Sequence, residues 1–158
     1  MKKNKILIEV IIPQSEQARK VDELMWQILW EPLGLSKEIQ NDFNLDGYEM
    51  ILAIKDQDQF VGGLIAYQTS TDSYELRHIG IRQDYRACGL GTKMLVKLET
   101  IVRSQGIANL HAIARNASRP FFEKNGFVSS GEYLDHPDFL EHEITFVKMQ
   151  KGLMPNSA

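Results

Sequence analysis

The chain has 158 residues, enough to bury one substantial core, and no internal repeat or linker divides it. With 43% hydrophobic and 25% charged residues it reads as a globular domain, not a disordered segment. Its 18 basic and 21 acidic residues leave a formal charge of −3, which argues against tight nucleic-acid binding and only weakly favours a cationic partner such as an amine.

In chain order, residues 5–12 (KILIEVII) read as a strand rather than a signal peptide, because the apolar run contains Glu9, ends at Pro13 and lacks a small-residue cleavage site. Ser15 is a candidate N-cap for a helix whose apolar face is Ala18, Val21, Leu24, Met25, Ile28 and Leu29. That helix should stop near Trp30, since Pro32 disfavours helix at Glu31. Residues 32–46 are expected to form a loop with one short helical turn. Strands follow at 48–55 and 60–68, joined tightly through Asp56-Gln57-Asp58-Gln59, and at 73–82. A helix from Gly89 carries apolar positions 90, 94, 95, 98, 101 and 102 and ends at Gln105-Gly106. Then come a strand at 108–114, a short helix at 118–125, and strands at 127–134 and 142–149. Residues 1–151 read as one domain, and the tail 152–158 is expected to be disordered. The order β-α-β-β-β-α-β-α-β-β argues against a doubly wound dinucleotide fold, whose strands alternate strictly with helices.

No run approaches a membrane span, so no membrane partner is expected and the default location is the cytoplasm. Cys88 is the single cysteine, which excludes an intrachain disulfide and a cysteine zinc cluster.

The chemistry gathers at Arg86-Ala87-Cys88-Gly89-Leu90-Gly91-Thr92, where a strand gives way to a helix start. First-turn amides lack intrahelical acceptors, the helix dipole places positive charge beside them, and glycine lets an anion approach the backbone. A Walker loop is excluded because Gly91-Thr92-Lys93 inverts its ending. A dinucleotide fingerprint is met only weakly, since Gly89 and Gly91 supply two glycines and Met94 stands where the third should be. The form R-x-x-G-x-G, by contrast, is met by Arg86, Gly89 and Gly91.

With this loop, Asn116-Ala117-Ser118-Arg119-Pro120-Phe121-Phe122-Glu123-Lys124-Asn125-Gly126-Phe127 resembles the second motif of the Gcn5-related N-acetyltransferases (GNAT). Trp30-Glu31-Pro32-Leu33-Gly34-Leu35 and the stretch from Gly131 to His142 resemble the bacterial ElaA and YjcF types. The resemblance implies an α+β fold with a central twisted, mainly antiparallel sheet of about seven strands, splayed between the fourth and fifth. It also implies acetyl-CoA as donor, a small-molecule or peptide amine as acceptor, direct attack, no metal, and a homodimer.

On that resemblance, the amides of residues 86–92 would hold the pyrophosphate, and main-chain groups of Ile79 and Ile81 would pair with the pantetheine arm. The Ile79 amide would polarise the thioester carbonyl, and Asn116 would bond the pantetheine. Phe121 would line the cofactor site. Lys124, with Arg82 and Arg119, is a loose candidate for the outer phosphates, against the commoner role of solvated surface charge. Glu75 stands where histone-type members keep their glutamate base, and period-two alternation would put Glu75, Arg77, Ile79 and Ile81 on one face. Its competing reading is a plain pairing with Arg77. His78 reads as a packed structural histidine, and Cys88 as a structural thiol despite its place at a helix start. Phe122 departs from the family pattern: the usual tyrosine could protonate the leaving thiolate and phenylalanine cannot. Tyr85, Tyr133, His136 and His142 are the stand-ins the sequence offers. The rival function is a non-catalytic acyl-CoA sensor or interaction module.

Overall fold

The computed structural model describes residues 6–153. Its elements are β1 (Ile6–Ile11), α1 (Glu16–Leu29), β2 (Glu49–Asp56), β3 (Gln59–Ser70), β4 (Ser73–Ile81), α2 (Leu90–Ser104), β5 (Asn109–Arg115), α3 (Arg119–Lys124), β6 (Val128–Leu134), α4 (Pro137–Leu140) and β7 (Phe146–Gly152). The strands form one sheet in the order β1-β2-β3-β4-β5-β7-β6. Every neighbouring pair is antiparallel except β4–β5. The mixed α/β architecture expected from the sequence, a mainly antiparallel sheet of seven strands with flanking helices, is therefore present.

Ser15 caps α1, its hydroxyl accepting the Ala18 N–H at 3.1 Å. Such a cap contributes about 1 kcal/mol. Helix α1 crosses a smooth lane made by cross-strand partners Gly63 and Gly80. A Cβ at Gly63 would lie 2.9 Å from Val21, and one at Gly80 would lie 3.0 Å from Ile28, so glycine sets how closely α1 can settle on the sheet.

Two cores result. Leu52, Leu64, Leu76, Met94, Leu98 and Phe122 belong to the core under α2 and α3. Ile11, Val21, Met25, Ile51, Ile65 and Phe139 belong to the core under α1 and α4. Two short 3-10 turns, Glu31–Leu33 and Lys37–Asp42, occupy the segment expected to hold one.

The C-terminal third departs from expectation. The last strand begins at Phe146, not 142, because Pro137 opens the four-residue α4, with His136 as its cap, and Glu143 turns the chain at φ 60°. At its other end the strand runs through Gly152, and the Leu153 N–H donates to the Ala108 carbonyl at 2.7 Å. These two residues belong to the fold rather than to the expected tail, and 154–158 lie outside the described residues. No helix among the described residues is long and apolar enough to cross a membrane.

Candidate active site

Strand β4 pairs with β3 through Gly62↔Ile81, Gly63↔Gly80, Leu64↔Ile79 and Ile65↔His78, and then jumps to Ala66↔Leu76. Arg77 is thus an extra residue, a β-bulge, and the alternation of side chains shifts by one across it. Tyr74 and Leu76, before the bulge, and Ile79 and Ile81, after it, all face the core under α2. Glu75 opposes Tyr67, which belongs to the α1-side core. Glu75 therefore shares a face with His78 and not with Ile79 and Ile81, which corrects the single-face expectation.

The bulge coincides with the end of β4–β5 pairing. The parallel ladder covers Ser73–Leu76 against Asn109–Ala112 and goes no further, while β5 stays paired to β7 through Arg115. The two strands part beyond Leu76, which is the expected splay. The direction of the open main-chain groups follows from the other ladder. The Arg82 N–H donates to the Val61 carbonyl at 2.8 Å. Antiparallel pairs alternate between bonded and unbonded residues, so Gly80 and His78 bond β3 while Ile79 and Ile81 direct their N–H and C=O groups into the splay. The Arg86 guanidinium already uses one of these groups, its Nε donating to the Ile81 carbonyl at 2.9 Å.

A groove of about 420 Å³, open to solvent, runs along this edge past Ile79, Ile81, Arg86, Gly91, Ser118 and Phe121. Its far end is the start of α2. There Ala87 and Gly89 adopt left-handed φ of 63° and 78°, and no side chain caps the helix. The first-turn amides of Leu90, Gly91 and Thr92 therefore keep free N–H groups, the arrangement that favours an anion. Gly91 lets the Phe121 ring approach closely: a Cβ there would lie 3.0 Å from its Cε1.

Through the splay the groove meets a narrow slot of about 50 Å³, lined by Trp30, Phe43, Arg77, Ile113, Arg115 and Phe146 among others. Phe122 closes it from the α2 side and is 1% exposed. Ser118 lines both slot and groove, a placement that spacing alone does not reveal. None of the four stand-ins lines either space. The Tyr85 hydroxyl donates to Asp56 at 2.6 Å, Tyr133 accepts from Arg119 at 3.4 Å, and His142 lies 3.8 Å from Glu141. His136 bonds Asp42 at 2.9 Å and accepts the Asp138 N–H, which ties the 37–42 turn to α4.

The remaining expected residues divide. Glu75 forms an ion pair with Arg77 at 2.6 Å and lines a separate polar cavity with Thr69, His111, Glu132 and Lys148. Asn116 is committed to bracing: its Nδ2 donates to the Glu143 carbonyl at 3.2 Å and its Oδ1 accepts the Thr145 N–H at 3.3 Å. That brace joins the end of β5 to the start of β7, and Asn116 does not line the groove. Lys124 and Cys88 are exposed, and the Cys88 thiol donates to the Arg86 carbonyl at 3.3 Å. His78 is packed as expected, 2% exposed between Trp30 and Phe43. Neither of its ring nitrogens has a hydrogen-bond partner among the described residues. Burial, with help from Arg77 and Arg115, pushes its pKa down to about 3. On α1, burial and then the charge of Glu49 raise Asp22 to about 6.

Residues 28–153 match the acetyltransferase (GNAT) domain model. The chain belongs to the Gcn5-related N-acetyltransferase family. GNAT structures of known form agree in fold. Tetrahymena Gcn5 aligns with a TM-score of 0.73 at 17% identity, covering 95% of this chain and 98% of that one. An aminoglycoside 6'-N-acetyltransferase complexed with coenzyme A gives 0.73 at 18% identity, covering 96% and 99%. A GNAT acetyltransferase from Elizabethkingia anophelis with acetyl-CoA bound gives 0.66 at 14%, covering 96% and 100%. Membership supports acetyl-CoA binding and acyl transfer in general. The open edge of β4, the uncapped start of α2 and the glycine cradle at Gly91 suit such a cofactor.

Proposed function

We propose that this GNAT protein transfers the acetyl group of acetyl-CoA to a primary amine of a small molecule or peptide by direct attack. The observation that carries the reading is the open main-chain edge of Ile79 and Ile81 leading directly to the bare first turn of α2. When bound, acetyl-CoA supplies the acyl carbon: a C–N bond forms, the C–S bond breaks, and sulfur leaves with the electron pair.

The chain's residues then have distinct tasks. Residues 86–92, with free amides at Leu90 to Thr92, hold the pyrophosphate. The Ile79 N–H donates to the carbonyl oxygen as negative charge grows there. Full pairing at Ile81 requires the Arg86 guanidinium to leave the Ile81 carbonyl, which frees it for a phosphate. Phe121 packs against Gly91 as one wall of the groove. Lys124 remains a candidate for the outer phosphates. Resemblance to the ElaA and YjcF types, a cytoplasmic location and a homodimer belong to the same proposal.

Proton handling falls to Glu75 and Ser118. Glu75 lines neither slot nor groove, so it takes the amine proton through a water relay past Arg77, which holds its carboxylate in place. Glu75→Gln is expected to lower kcat by about 100-fold with little change in acetyl-CoA affinity. An unchanged kcat would dismiss Glu75 as base. Ser118 supplies the hydroxyl that Phe122 lacks, donating to the departing sulfur, and Ser118→Ala should lower kcat by about tenfold. A steady-state comparison showing wild-type kcat would mean that the thiolate leaves unassisted.

Thiol release from acetyl-CoA, followed across a panel of primary amines, tests the function itself. Acceptor-dependent release is expected. Tight acetyl-CoA binding with no such release would favour the rival sensor that Phe122 suggests.

A further inference from the structure

Arg115 stands where groove and slot meet, on the last position of β5. Its half-buried guanidinium donates through Nη2 to the Leu29 carbonyl at 2.5 Å, at the C-terminal end of α1, and lies 5.5 Å from the centre of the Phe139 ring. Guanidinium carries five N–H donors and stays charged in proteins. No carboxylate pairs with Arg115 among the described residues. The other cation of the slot, Arg77, is neutralised by Glu75. None of the side chains lining the slot is acidic, and its walls include Trp30, Phe43 and Phe146.

We propose, resting on the amine-acetylation reading above, that the acceptor is an apolar α-amino acid whose carboxylate is bound by Arg115. A carboxylate matches the guanidinium fork and supplies the missing counter-charge in a poorly solvated place. The aromatic walls suit an aromatic or aliphatic side chain. The position of Arg115 at the junction puts a carboxylate adjacent to the amine close to the open Ile79 edge. Positive charge beside the amine also favours its neutral, nucleophilic form. A polycationic acceptor would instead meet Arg77 and Arg115 with no carboxylate in the slot to balance it.

The test compares phenylalanine with 2-phenylethylamine and leucine with 3-methylbutylamine as acceptors. Wild-type kcat/KM should favour each amino acid by at least about tenfold, the value of one charge-assisted pair. Arg115→Met should erase that preference, and Arg115→Lys should restore part of it, with thermal melts confirming that both variants fold. Equal or better turnover of the decarboxylated amines by wild type would overturn the proposal. So would an Arg115→Met variant whose acetyl-CoA affinity falls as far as its turnover, since Arg115 would then serve the cofactor. If wild type acetylates no amine, the functional reading fails separately, and calorimetry on the CoA-loaded protein still decides the pocket. Tighter binding of N-acetylphenylalanine than of N-acetyl-2-phenylethylamine would then uphold the carboxylate site, and equal binding would remove it.

Discussion

Replacing Gly91 with valine is expected to weaken acetyl-CoA binding by at least about tenfold while leaving a folded protein. A Cβ at this position would lie 3.0 and 3.1 Å from Cε1 and Cζ of Phe121 and 3.6 Å from Cδ1 of Ile81. Valine adds two further methyl groups at the groove wall. Phe121 is only partly buried on its short helix, so it can yield, but its ring lines the groove, and a shift reshapes the wall that the cofactor needs. The helix itself does not suffer, since glycine is about 1 kcal/mol worse than alanine inside a helix. Gly91→Ala separates the two effects: the added Cβ asks Phe121 for a small shift, helix propensity improves, and a smaller loss of affinity accompanies equal or greater stability. Calorimetric titration with acetyl-CoA and a thermal melt read both quantities. Wild-type affinity in the valine variant would show that the cofactor does not pass this point.

His78→Leu is expected to raise stability near pH 7 by about 1–3 kcal/mol, because it removes two buried ring nitrogens that have no hydrogen-bond partner among the described residues. Each kcal/mol corresponds to a rise of about 2–4 °C in melting temperature for a domain of this size. The pH dependence gives a sharper sign. The folded state keeps the imidazole neutral down to about pH 3, whereas the unfolded chain takes a proton near the ordinary value of 6.5. Below that value the unfolded state binds more protons, and wild-type stability falls by up to about 1.4 kcal/mol per pH unit. Asp22 acts in the opposite direction. Its folded pKa of about 6 lies above the ordinary 3.8, so the folded state binds more protons between those values and gains stability as pH falls. The two groups offset one another in the wild type between about pH 6 and 4. His78→Leu leaves Asp22 alone, so the variant should gain stability from these sites between about pH 7 and 5 where the wild type does not. Denaturant melts at both values check this. A variant less stable than wild type at pH 7 would mean that the imidazole nitrogens are bonded in solution.

Much of this architecture was legible because its signals are local. The loop from Arg86 to Gly91 needs only a strand end, two glycines and a helix start, all contiguous. The apolar stripe of α2 and the Ser15 cap of α1 are equally short-range. The bulge at Arg77 was not legible: Tyr74 to Ile81 reads as one unbroken alternating strand, and the extra residue shows itself only against β3. That single residue decides which face carries Glu75. Asn116 fitted its motif but spends both ends of its amide on the turn before β7, a partner that depends on how residues 141–145 fold. The α4 turn has four residues, too few for a periodic pattern, so the last strand was placed four residues early. Ser118 and Arg115 gain their significance from where β5 and α3 deliver them beside the splay, and chain spacing carries no trace of that.

Acetyl transfer at this site requires acetyl-CoA to lie along the open edge of β4 with its pyrophosphate at the start of α2. Backbone amide chemical shifts in isotope-labelled protein, recorded as acetyl-CoA is added, test this directly. The largest changes should fall on Ile79, Ile81 and residues 89–92, with the Asn116 side-chain amide little moved because its bonds to Glu143 and Thr145 persist. Changes centred on the polar cavity of Glu75, His111 and Lys148, with Ile79 and Ile81 unmoved, would contradict it.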